Sequence, residues 1–274
     1  MSKASAAVSA AVNPPQPRHY QGMNWTGLKT LYLKEVRRFW KVGTQTVAAP
    51  VVTTLLYMMI FVIAMSGSDV HNQARTGAFI GPGLIMMAIL NNAFANSSSS
   101  LIQAKIMGTA PDFLTPPLSP IELMLGFGLG AATRGIVVGL VTAAAVWPFS
   151  HFGLEHAWAI AFYGVCASLI MGFVGVIGGL WSEKFDQLAA VTNFIITPLT
   201  FLSGTFYRVE RLPAFFQELI RFNPMFYMID GFRFGFIGQA DGDLRIGAAY
   251  VLALLAVLAF TAYALFKSGW RLKT

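Results

Sequence analysis

Long uncharged runs alternate with short polar breaks along this chain, and the runs have the length of a bilayer crossing. Six of them reach it, at 44–66, 76–104, 121–149, 157–181, 187–207 and 246–266, since a spanning helix needs roughly 20 apolar residues. The third run is interrupted by Arg134. Pro82 and Pro198 fall inside runs and are expected to bend or break their helices. Between the last two runs lie two shorter apolar pieces. Residues 212–222 place Leu212, Phe215, Phe216, Leu219 and Ile220 at helical spacing. Residues 223–238 open on Asn223-Pro224 and hold Asp230 and Arg233 within one turn. That second piece has 16 residues, below the roughly 17 needed to span. The region 208–240 is therefore expected to form re-entrant half-helices dipping into one face of the membrane.

Ahead of the first run, residues 24–41 follow a different pattern. Trp25, Leu28, Leu31, Tyr32, Val36, Phe39 and Trp40 project to one side of a helix, and Lys34, Arg37, Arg38 and Lys41 to the other. A basic amphipathic helix with aromatic anchors reads as an interface element on the membrane surface. It either touches a cytoplasmic partner or simply anchors to lipid. Residues 1–23 are rich in Ala, Ser and Pro, with no apolar run of signal-peptide length, and are expected to form a disordered, unprocessed tail.

Composition sharpens the class. The chain is 55% hydrophobic and only 11% charged, where soluble domains carry about 25% charged residues. The fold class expected is all-α integral membrane, with six transmembrane helices. The single cysteine, Cys166, excludes an intrachain disulfide and reads as a buried small hydrophobe. Six crossings put both termini on one side. That side carries 12 lysines and arginines, including every lysine, against 6 on the other. The positive-inside rule then places both termini in the cytoplasm. The net charge of +7 is mostly this topological bias, so no nucleic-acid partner is expected.

The cytoplasmic loop 105–120, KIMGTAPDFLTPPLSP, is long and patterned for a connector. Asp112 can open a short helix, and Pro116, Pro117 and Pro120 stiffen the exit. A stiff element here suits transmission of force from a soluble motor, and equally a plain rigid connector. With the basic helix, this loop, FIGPGLIMM at 79–87, TPLTFLSGTFY at 197–207 and NPMFYMIDGFRFGFIG at 223–238 stand in an order that resembles the ABC-2 type exporter permeases, among them the bacterial YadH-like permeases. The resemblance covers about residues 28–238 and the last run. It implies a permease homodimer in the bacterial cytoplasmic (inner) membrane, docked on two ATP-binding cassette subunits. Loop 105–120 is then the coupling region. Lys34, Arg37 and Arg38 of the basic helix, with Lys105, Asp112, Phe113 and Leu114 of the loop, face the ATPase. Asn223, Pro224, Tyr227, Asp230 and Arg233 form an outer gate, or else a structural plug. ATP and Mg belong to the partner: no Gly-x-x-x-x-Gly-Lys-Ser/Thr and no Gly-Lys pair occurs, so this chain has no P-loop and no cofactor of its own.

Polar groups at membrane depth are the remaining candidates. Asn92, Asn96, Ser99 and Gln103 recur on one helical face, widened by the 96–100 run Asn-Ser-Ser-Ser-Ser. In lipid such a stripe must face protein or water. It lines a translocation path or a dimer seam, or it bonds helices within one subunit. Arg134 needs a partner or hydration; it either holds a group of a neighbouring helix or binds an anionic head group of the cargo. Gly126/Gly130, Gly135/Gly139, Gly164/Ser168/Gly172 and Gly175/Gly179 are small-residue pairs for close helix packing. Glu210, Glu218 and Asp230 can pair with Arg208, Arg211, Arg221 and Arg233. His151, His156 and Glu155 make a weak metal motif, and no catalytic constellation stands out. An amphipathic cargo (a lipid, lipid-linked glycan or drug-like compound) is the expected substrate of an exporter. An ATP-independent channel or a membrane-embedded enzyme is the alternative.

Overall fold

The computed structural model describes residues 22–66, 69–150 and 152–271. The expected tail at 1–23 and His151 of the metal motif thus lie, but for residues 22 and 23, outside the described residues. Among those described, every regular element is helical. Five helices are long and apolar enough to cross a membrane. They are α2 (Ala49–Ser66, preceded by a π-helical turn at Thr44–Ala48), α3 (Val70–Ile106), α5 (Pro120–Ser150), α6 (Ala157–Trp181) and α11 (Leu244–Ser268). The shorter helices are α1 (Trp25–Lys41), α4 (Pro111–Leu114), α7 (Phe185–Val191), α8 (Thr197–Phe201), α9 (Ala214–Arg221) and α10 (Pro224–Ile237).

The stretch read as a fifth crossing, 187–207, is helical only as far as Phe201, and its helix carries a π-helical turn. Phe185–Val191 passes through a π-helical turn at Thr192–Ile196 into Thr197–Phe201, and residues 202–207 turn away. Pro198 has no N–H to donate, and Gly204 adopts φ +73°, a conformation that favours glycine. Pro82 does not break its helix: α3 runs on through it. Membrane helices tolerate an internal proline where neighbouring groups answer the freed carbonyl.

α3 is the axis of the molecule. In its most apolar window 78% of residues are buried, against 17% for α2 and for α11, so α3 is wrapped by protein while those two expose apolar flanks. At 37 residues it is about 55 Å long, more than a hydrocarbon core needs. It packs chiefly on α5 and α6. The glycine pairs make those crossings tight. A Cβ at Gly175 would stand 2.5 Å from the Phe94 carbonyl oxygen, and one at Gly179 2.9 Å from that of Ser98. Ser97 Oγ donates to the Gly172 carbonyl at 2.6 Å across the same seam. Gly135 lies against Ile89 and Ala93, and Gly139 against Ile89. Backbone approach of this kind is what van der Waals packing in lipid requires.

α1 lies lengthwise along α5, both running the same way. A Cβ at Gly126 would meet Leu31, and one at Gly130 would meet Glu35 at 2.6 Å. Its buried stripe is Leu28, Leu31, Glu35 and Phe39. Trp25 and Trp40, assigned to the apolar face, are instead 69% and 67% exposed. The stripe follows the 3–4–4 spacing that faces α5, and it carries Glu35 inward with it.

Candidate functional site

Glu35 is wholly buried and is the centre of a polar cluster within the bundle. It accepts from Ser100 Oγ at 2.7 Å and from Asn96 Nδ2 at 3.5 Å, and pairs with Arg38 at 3.3 Å. Arg38 bends away from the outer surface of α1. Its Nη2 donates to the backbone carbonyl and side-chain oxygen of Asn96, and its Nη1 to Ser99 Oγ at 3.1 Å. One turn along α3, Asn92 Oδ1 accepts from Arg134 Nη2 at 3.1 Å while Asn92 Nδ2 is bonded to the Ala88 carbonyl. Three of the four stripe positions thus converge with Arg134, from α5, on one polar wall. Gln103 stands apart at the end of α3, with Nε2 3.7 Å from Met107 Sδ. The partner found for Arg134 is a carboxamide. Sequence reading missed the cluster's carboxylate because a glutamate on a basic amphipathic helix passes for a surface charge. Its place four residues from both Leu31 and Phe39 was the available signal.

The coupling candidates gather at the end of the bundle where α3 stops and α5 starts. Ser119 and Glu122 form a capping box: Glu122 N–H donates to Ser119 Oγ at 3.3 Å, and Ser119 N–H to Glu122 Oε2 at 2.7 Å. The same carboxylate accepts the N–H of Asn24, whose amide also reaches the Pro117 carbonyl at 3.3 Å. Glu122 therefore ties the start of α1 to the start of α5, a role that only the fold reveals. Phe113 of α4 is buried edge-on against Phe127 at 5.4 Å, with Lys34 Nζ 5.3 Å above its ring. Asp112 and Leu114 point outward beside it, and Arg37 is exposed. Lys105 does not: its ammonium is held by the carbonyls of Leu180 and Ser182 at the end of α6. Arg271 also reaches this end, donating to the Trp181 carbonyl at 2.6 Å. Both ends of the described chain are thus at the same end of the bundle.

At the opposite end, Asn223 caps α10 by accepting from Met225 N–H at 3.0 Å and donates to the Leu199 carbonyl at 2.7 Å. Pro224 takes the first helical position, which suits a residue without an N–H. Asn223→Ala is expected to cost about 1–2 kcal/mol, read as a lowered unfolding midpoint of the solubilised protein. Asp230 and Arg233 do not form the expected pair. The Asp230 carboxylate accepts from the N–H groups of Asp241 and Gly242 at 2.8 and 2.9 Å. Burial pushes that carboxyl above its usual range, opposed by those two bonds. Arg233 donates to the Gly204 carbonyl at 2.7 Å and lies 3.9 Å from the Phe79 ring centroid. Asp230 thus ties α10 to the loop at 241–242, and Arg233, whose buried Nε makes no hydrogen bond, ties it to the 202–207 turn and to Phe79 of α3. Tyr227 stacks at a tilt on Tyr250 of α11, 5.0 Å away. His156 stacks on Phe234, and no metal-holding group of three or more His, Cys, Asp or Glu occurs among the described residues.

Comparison with known proteins agrees with this architecture. The ABC-2 type transporter family profile matches residues 26–237. The inner membrane transport permease YadH of Escherichia coli K12 is 34% identical over 253 residues, covering 91% of this chain and 98% of the relative. Nodulation protein J of Rhizobium leguminosarum bv. viciae is 26% identical over 196 residues, 68% of this chain and 73% of its own length. The probable multidrug ABC transporter permease YbhR of E. coli K12 is 25% identical over 195 residues, 69% and 52% respectively. With a profile match over most of its length and a full-length relative, the chain belongs to the ABC-2 type transporter family, as a permease, the membrane subunit of an ABC transporter.

Proposed function

We propose that this permease works as a homodimer on two ATP-binding subunits and exports an amphipathic cargo across the bacterial inner membrane. ATP and Mg are bound by those subunits. The observation that carries the reading is α4. Buried Phe113 pins this short helix beneath α1, Glu122 locks the start of α1 to that of α5, and Asp112 and Leu114 are left projecting. A stiff knob joined to three helices can pass a push from a motor into the bundle. Lys34 and Arg37 on the adjacent face of α1 extend the docking surface; Arg38 and Lys105, occupied inside the chain, do not. The basic residues at this end support a cytoplasmic orientation for it and for both termini.

Phe185–Phe201 starts beside the α6 terminus held by Lys105 and ends near the turn that meets Arg233. We read it as a sixth crossing, about 26 Å long, and α9 with α10 as the re-entrant pair that closes the outer side. A lipid, lipid-linked glycan or drug-like cargo fits the apolar flanks, and one relative is named a probable multidrug ABC transporter permease.

The test is ATP hydrolysis by the co-purifying ATP-binding protein, with and without the reconstituted permease. Stimulation is expected with the native chain. It is expected to disappear with Asp112→Lys combined with Leu114→Glu, both exposed changes that leave the permease folded. Full stimulation by that variant, or no associating ATP-binding protein at all, would remove the basis for coupling.

A further inference from the structure

A cleft of about 660 Å3 opens between α2, α3 and α5, on the outer side of the Glu35 cluster. Its lining holds two charged side chains, Arg38 and Arg134. Glu35 neutralises the first from behind and is itself sealed from the cleft. One positive charge is left without a counter-charge, walled by neutral polar groups such as Asn92 and Thr53 and by apolar ones such as Leu84 and Met87. Arg134 stands near the middle of α5, about 21 Å along the axis from Pro120. Its Nη2 is oriented by Asn92, and its buried Nε makes no hydrogen bond. An arginine at such depth is costly unless something answers its charge. An anion entering the cleft answers the charge of Arg134, and Arg38, whose Nη1 is bonded, among the described residues, only to Ser99, faces the same space. Their planar forks match the oxygens of a phosphate or carboxylate. The volume lies within the roughly 300–1,000 Å3 of ligand sites, and the Leu84 and Met87 side of the wall suits an alkyl chain.

We propose that this cleft holds the phosphate or carboxylate head of an anionic amphiphile between Arg134 and Arg38, with its apolar part against α2 and α3. The proposal rests on the reading of the chain as a permease for amphipathic cargo, and it specifies the charge of that cargo. Arg134 is the contacting group; Asn92 is a positioning residue that aims it.

The full-length permease in maltoside micelles is titrated with oleoyl lysophosphatidate, with oleoyl lysophosphatidylcholine and with inorganic phosphate, and occupancy is read by native mass spectrometry. Saturable binding of lysophosphatidate is expected, with the zwitterionic lipid about tenfold weaker, as loss of a charged hydrogen bond implies. Arg134→Gln is expected to weaken lysophosphatidate by about tenfold, with partial retention in Arg134→Lys, which keeps the charge and loses the fork. Thr53→Trp fills the exposed rim of the cleft without touching the buried cluster, so it is expected to block binding even where the Arg134 variants do not fold. Equal affinity for both lipids, or undiminished binding to Thr53→Trp, overturns the proposal. Full competition by inorganic phosphate assigns the site to a soluble anion and overturns the amphiphile. These titrations use neither ATP nor partner, so the two readings fail separately. Selective binding without ATPase coupling leaves the head-group site standing and removes the exporter; coupling without anion selectivity does the reverse.

Discussion

Glu35→Leu is expected to destabilise the solubilised permease by about 3 kcal/mol, the lower end of the range for breaking a buried ion pair. The substitution leaves Arg38 without its carboxylate at 3.3 Å, and Ser100 Oγ without its acceptor at 2.7 Å. The low end applies because the Arg38 side chain keeps 25% of its exposure, so water can answer part of the stranded charge. The compensating change is Arg38→Met. Buried ion pairs exchanged whole for apolar side chains of similar size are often neutral in stability, so the double variant is expected to recover most of the loss. Thermal midpoints of the two single variants and the double variant complete a mutant cycle. Strictly additive losses would mean that Glu35 and Arg38 stabilise the bundle independently, against the geometry described above.

Gly175→Ala carries the second large effect, also about 3 kcal/mol, at the upper end of the usual cost of overpacking. The added methyl would sit 2.5 Å from the Phe94 carbonyl oxygen and 3.2 Å from Ser98 N. Both are backbone atoms of α3, which cannot swing aside as a side chain can. The helices must separate, and the bond from Ser97 Oγ to the Gly172 carbonyl is lost with the approach. Gly178→Ala is the matched control. Three residues away on the same helix, its methyl would meet only the Phe94 ring, at 3.6 Å. That is ordinary contact, and alanine's better helix propensity makes the change neutral or slightly stabilising. Comparing the two variants by size-exclusion profile and unfolding midpoint separates seam geometry from the general tolerance of α6 for alanine. Equal behaviour would show that the α3–α6 seam has slack that the structure does not display.

These two sites differ in how visible they were beforehand. The Gly175/Gly179 pair is written in the sequence, because small residues at this spacing in an apolar run have little other use than close approach. What spacing could not say was which helix answers them. That Phe94 and Ser98 do so follows from the parallel course of α3 and α6, a property of the whole bundle. Glu35 was hidden by a conflict of cues. Its position belongs to the buried stripe, its charge to the surface, and with Lys34, Arg37 and Arg38 around it the charge seemed to decide. Arg38 was misplaced for the same reason, since its long side chain reaches past the helix surface to Asn96. Asp230 and Arg233 show the complementary error. Two opposite charges one turn apart suggest a pair, but loop backbone at 204–205 and 241–242 comes closer to each of them, and a loop's position cannot be read from helical spacing.

The sequence by itself determined the all-helical membrane class, the position of five long apolar helices and the family. A bilayer imposes its length and its apolarity directly on consecutive residues, which is why α6 appears at Ala157–Trp181 as expected and α11 within two residues of its expected bounds. The tertiary structure alone decided that α3 is the axis, that the helix at 185–201 carries a π-helical turn and stops short of residue 207, and that α1 brings a carboxylate to the polar face of α3. It also decided that Arg134 and Arg38 share one cleft. Each of these depends on which distant segment stands nearest, and in an apolar solvent that is settled by shape and by the satisfaction of a few polar groups, neither of which is local to the chain.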